Sequence, residues 1–176
     1  MKNIKTFPKI ILFISMLSGT IWIGSYLTRL AVSYQVFEGT DFTLRAYLTP
    51  ANLNPVFQTI LPAIITGIIS FPVFLIFFIL FLFTSKISLK QNGWLFIITV
   101  LVFITAPFEL YLSAIDYKII CLVYTTGFNG QEALKLVIER FKIFSSFPII
   151  ELLCYASIIF LLIFKPLQKT SETIDL

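Results

Sequence analysis

Apolar positions along the chain gather into four long stretches, residues 10–30, 55–83, 94–112 and 147–164, divided by polar segments of unequal length. Each stretch can cross the ~30 Å hydrocarbon core of a bilayer as an α-helix, whereas a helix buried in a soluble core rarely exceeds about 14 apolar residues without a polar face. The pattern therefore predicts an all-α membrane protein, residues 1–176 forming a single four-transmembrane-helix bundle. A short link, 84–92, joins the second and third helices. Two longer loops, about 31–54 and 113–146, lie at the other end.

The loops carry patterns of their own. Residues 31–37 (AVSYQVF) and 42–48 (FTLRAYL) alternate in part around the turn-like 38–41, which suggests a small hairpin. A first helix continued to Phe37, followed by a short interfacial helix capped by Asp41, fits the same residues. Asn54-Pro55 reads as the N-cap and first residue of the second helix. In the second loop, Asn129 and Glu132 have capping-box spacing. Leu134, Val137, Ile138, Phe141 and Phe144 then recur at helical spacing, with Lys135, Glu139, Arg140 and Lys142 on the other side. This predicts an amphipathic helix over about 130–144 that rests on the membrane surface or covers the mouth of the bundle. Ser145-Ser146 would cap the fourth helix, and 119–126 either extends the third helix or forms a strand.

Composition agrees: 58% of residues are hydrophobic, 12% are charged and 20 are phenylalanine, proportions that suit a polytopic membrane protein. Charge gives an orientation. Seven of the 13 basic residues (Lys2, Lys5, Lys9, Lys86, Lys90, Lys165 and Lys169) crowd the helix ends on the side of the termini and the short link. By the positive-inside bias both termini are expected in the cytoplasm, in a multi-pass arrangement in a bacterial-type inner (plasma) membrane. Trp94, Tyr111 and Tyr26 fit as interface anchors. The first apolar stretch runs on without an A-x-A cleavage site, so it reads as a retained helix rather than a signal peptide.

Several chemistries have no residues to serve them. The chain has no histidine, which removes bis-histidine haem, the usual zinc sites and histidine acid–base catalysis. Cys121 and Cys154 fall at different depths and form no CxxC pair, so neither a disulfide nor thiol–disulfide exchange is expected. No cofactor and no metal are expected. The net charge of +4 is not gathered into a basic stripe with interleaved aromatics, so nucleic acid is not an expected partner. The expected partners are the lipid bilayer and a protein docking on the outer loops.

Small and hydroxyl residues form stripes. On the first helix Ser15, Ser18, Trp22, Ser25 and Arg29 recur at three and four; on the third, Thr99, Val102, Ala106, Glu109, Ser113 and Asp116 do so. The second offers Thr59, Ala63, Thr66 and Ser70, with Gly67 alongside. Such stripes let membrane helices approach closely, so they predict the inner faces of the bundle. Two of them end in charge. Arg29 lies roughly 28 Å up the first helix and Glu109 some 22 Å up the third at 1.5 Å per residue, and Glu151 lies early in the descending fourth helix. A charge in hydrocarbon costs at least ~2.5 kcal/mol, so such groups face the interior and pair. Arg29, Glu109 and Glu151, continued upward by Asp116, are the predicted buried polar cluster, with an Arg29–Glu109 contact at its centre. Pro62, Pro72, Pro107 and Pro148 are expected to kink their helices.

Three functional readings follow. The first is a non-catalytic accessory, assembly or partner-binding subunit, because no catalytic constellation is visible. Membrane immunity proteins against pore-forming toxins share this layout in topology and length, with no motif to match. The second is a small-molecule or ion carrier built on the cluster, although coupling carboxylates tend to lie nearer the midplane. The third is an outer-leaflet lipid-modifying enzyme, with Glu109 or Glu151 as base and Arg29 gripping phosphate.

Overall fold

The computed structural model describes residues 5–39, 42–49, 52–125, 128–143 and 147–167. The protein is mostly helical. In chain order come α1 (Thr6–Val36), β1 (Phe37–Glu38), β2 (Thr43–Leu44), α2 (Leu53–Ser85), α3 (Gly93–Tyr124), α4 (Gly130–Ile143) and α5 (Phe147–Phe164). α1, α2, α3 and α5 are long and apolar enough to cross a membrane, and their outward faces carry exposed Phe13, Ile69, Ile76, Phe83, Phe103 and Phe160.

Two helices run well past their apolar stretches at the lidded end. α1 continues to Val36 and α3 to Tyr124, because residues 31–36 and 113–124 keep a buried face (Ser33; Ile115, Asp116 and Ile119) and contain neither glycine nor proline. The strand alternative is thereby corrected over 119–124, as is the loop expected from residue 113, while Thr126 lies outside the described residues. The two readings of the first loop each supply half of the result. The helix does extend, and a short antiparallel hairpin then pairs Phe37 with Leu44 and Glu38 with Thr43. Strand stands where the interfacial helix was expected, and its proposed cap, Asp41, lies outside the described residues. So do Ser145, Ser146 and Phe144, with the lid helix ending at Ile143.

α2 begins at Leu53 rather than at Asn54-Pro55. The Asn52 side chain turns back into the preceding loop, accepting from Thr49 N (2.7 Å) and donating to Tyr47 O (2.9 Å). Asn54 donates instead to Phe128 O (3.4 Å), at the base of the lid. In place of the expected capping box Asn129 is a plain N-cap: its side chain accepts from Gln131 N (3.0 Å), and Glu132 N donates to the Asn129 carbonyl (3.1 Å).

α1 and α2 form the most extensive helix pair. Ser15 Oγ donates to Phe74 O across it at 3.2 Å, and Gly67 lies so near that a Cβ there would stand 3.1 Å from Ser25 Oγ. The stripe on α2 holds for Gly67 and Ser70, which are buried; Thr66 and Thr59 are exposed. Trp22 centres the core, with ring centroids of Tyr155, Phe71 and Tyr26 at 4.6, 5.1 and 5.4 Å. At the opposite end, Lys165 Nζ sits 5.7 Å from the centroid of the Trp94 ring and Gly93 N donates to Leu167 O (3.2 Å).

Candidate functional site: a charged clasp beneath the lid

The site is assembled by four helices. Trp22, Tyr26, Arg29 and Ser33 lie on one face of α1, and Glu109 and Asp116 two turns apart on one face of α3. The two helices are joined by two contacts of identical sequence offset. Trp22 Nε1 donates to Glu109 Oε1 (3.2 Å), and Arg29 Nη1 donates to Asp116 Oδ2. Parallel helices held in register at two levels, seven residues apart, give this pattern. It corrects the expected Arg29–Glu109 contact: Asp116 is level with Arg29, and the lower carboxylate is taken by the indole.

The third participant is Arg140 of the lid. Its Nε lies 2.9 Å from Asp116 Oδ1 and its Nη2 3.9 Å from Glu109 Oε2. Both guanidiniums also lie beside the face of Tyr26, 5.7 Å (Arg29) and 6.0 Å (Arg140) from its centroid, within cation–π range. Arg29 is 8% exposed, Arg140 7%, Glu109 and Asp116 2% each, and Glu151 0%. Burial disfavours the charged form of Arg140, but Asp116 and Glu109 more than offset it, and its pKa lies above the ordinary arginine value.

Arg140 was expected on the solvated side of the amphipathic helix with Lys135, Glu139 and Lys142, and this is corrected. It follows Ala133 by seven residues and Val137 by three, which places it on the face that packs inward. That spacing was the available signal, and its charge concealed it. Tyr26, expected as an interface anchor, is buried in the site at 1% exposure. Of the remaining predicted residues, Ser15, Ser18, Ser25 and Ala106 are buried along the helix interfaces, and Thr99 and Ser113 are half-buried.

Glu151 stands apart. It is fully buried, yet among the described residues neither of its oxygens finds a hydrogen-bond partner and no cation pairs with it. The Tyr26 hydroxyl faces it without reaching hydrogen-bond geometry. The cluster thus sets three carboxyl groups against two guanidiniums, and Glu151 is the surplus acid.

Beside the clasp, Arg29, Asp116, Arg140 and Tyr26 share a cleft with apolar side chains of α1, α2 and α4, among them Ile60 and Leu134. Its volume is about 40 Å³, room for a few waters. Among the described residues no group of three or more metal-ligating side chains is placed to hold a metal ion. Cys121, exposed, and Cys154, half-buried, are both free.

No protein-family model, curated protein or solved structure matches this chain significantly. Its chemistry therefore rests on its own geometry. The arrangement ties α1, α3 and the lid together: Asp116 is the shared anion, Arg29 its partner from within the bundle and Arg140 its partner from above. Breaking a buried pair from one side leaves an uncompensated charge, at about 3–5 kcal/mol.

Proposed function

We propose that this protein is a non-catalytic accessory subunit of a bacterial-type inner membrane, with both termini cytoplasmic, that presents its lidded end to a protein partner. The observation that carries this reading is the display of tyrosine there. Tyr34, Tyr47, Tyr117 and Tyr124 are 74%, 60%, 61% and 71% exposed. Counting ~30 Å up α3 from Trp94 at 1.5 Å per residue puts the edge of the hydrocarbon near Ser113. Tyr117 therefore stands just above it and Tyr124 about 15 Å above it, clear of the headgroups, and exposed aromatic residues outside lipid are characteristic anchors of protein interfaces. Below, Arg29, Asp116, Glu109 and Arg140 are engaged in joining the bundle to the lid, which supports a scaffold more than a reaction centre.

The test is purification from native membranes after mild crosslinking. Tyr117→Ala with Tyr124→Ala should release the co-purifying protein at unchanged expression. A complex that survives this double substitution argues against the reading. A second reading, a carrier, is favoured by one observation: among the described residues no cation or hydrogen-bond donor pairs with the buried Glu151. Glu151→Gln separates the two, because a carrier loses transport and a scaffold keeps its partner.

A further inference from the structure

A groove of about 690 Å³ opens between the end of α1, the hairpin and the lid. Its walls are Tyr34, Phe37, Phe42 and Phe141, and among the described residues it carries one of each charge, Arg45 and Glu38. The aromatic wall is built across elements: Phe42 stacks on Phe141 of the lid at 5.8 Å, and Phe37 meets both rings edge-on at 5.5 and 6.4 Å. Arg45 is held in place by carbonyls. Its Nε donates to Phe37 O (3.2 Å), its Nη2 to Tyr34 O (3.3 Å), and its guanidinium lies 5.9 Å from the Tyr34 centroid. Neither hydrogen bond uses Nη1, and no carboxylate among the described residues lies within ion-pair distance of Arg45.

Depth identifies the occupant. Arg29 pairs with Asp116, which lies just above the hydrocarbon edge near Ser113, so Arg29 shares that level. Residues 30–36 of α1 then rise by about 10 Å, through the ~5–8 Å headgroup layer on each side of the bilayer. The groove thus faces the lipid headgroups, with Leu30 at its floor. A fixed guanidinium, an acidic side chain and a wall of π faces complement a phosphate joined to an ammonium group.

We propose that this groove binds the headgroup of a zwitterionic phospholipid, its phosphate on Arg45 and its ammonium on Glu38, with the acyl chains descending past Leu30 along α1.

The full chain, purified in detergent, is offered equal amounts of POPE and POPG, and retained lipid is counted by native mass spectrometry. Wild type should retain POPE over POPG by about tenfold, the discrimination one charge-assisted contact supplies. Arg45→Gln should lose POPE retention by a similar factor, Arg45→Lys should restore part of it, and Glu38→Gln should abolish the preference while leaving total lipid bound. Preference of wild type for POPG, or no preference, overturns the proposal, as does unchanged POPE retention in both glutamine variants. Should Arg45→Gln fail to fold because its carbonyl contacts are lost, Glu38→Gln decides alone, since the Glu38 side chain is exposed.

Discussion

Asp116 offers one carboxylate to two arginines from different helices, while Glu151 offers a carboxylate to none. The two acids should therefore respond unequally to the same isosteric change. Asp116→Asn leaves Arg29 and Arg140 buried against a neutral group, and we expect a loss of about 3–5 kcal/mol. Glu151→Gln removes an unpartnered acid at constant volume, and we expect a change within about 1 kcal/mol of zero. Thermal unfolding in detergent or nanodiscs measures both; equal destabilisation by the two would contradict the division of roles. At this scale the sequence was only partly legible. Burial of Arg29, Glu109, Asp116 and Glu151 could be anticipated, because charge within an apolar helix has few other places to go. The partners could not. A two-turn difference in relative height decides whether Arg29 meets Glu109 or Asp116, and relative height is set by packing between helices.

Among the elements, the lid depends most on the clasp. α4 is mildly apolar and 14 residues long, near the length at which an isolated helix is marginal. It is seated by Arg140 at one end and by Gly130 at the other, where a Cβ would fall 2.7 Å from Leu53 Cβ. Arg140→Met keeps most of the side-chain bulk and removes the charge, while Asp116 retains Arg29. Hydrogen exchange should then quicken roughly 100-fold in α4 and stay unchanged in the middle of α1 to α3. Uniform quickening would mean that the clasp stabilises the bundle rather than the lid. The α1–α2 pair can be tested in the same way. Gly67→Leu drives a branched side chain toward Ser25 and should cost about 1–3 kcal/mol by overpacking, whereas Thr66→Leu, on the outward face, should leave stability unaltered. The stripe of small residues on α2 could be recognised from its spacing, but which of two adjacent residues points inward was decided by the rotation of the helix.

For the molecule as a whole, orientation is the property most open to measurement. Cys121 lies about 40 Å up α3 from Trp94 at 1.5 Å per residue, well clear of the hydrocarbon, and is exposed; Cys154 lies within α5. With the termini cytoplasmic, a membrane-impermeant maleimide added to intact cells should label Cys121 and spare a Cys121→Ser variant. Labelling only after permeabilisation would invert the proposed topology. The four spans followed from the sequence by itself, because a bilayer core of fixed thickness demands long apolar runs and no other structure produces them so simply. The amphipathic lid also followed from local periodicity. Tertiary structure decided what periodicity cannot encode: that α1 and α3 continue beyond their apolar runs, that an arginine on the lid turns inward, and that Asp116 is its anchor. Each depends on where one helix stands against another, and that is settled by contacts between residues far apart in the chain.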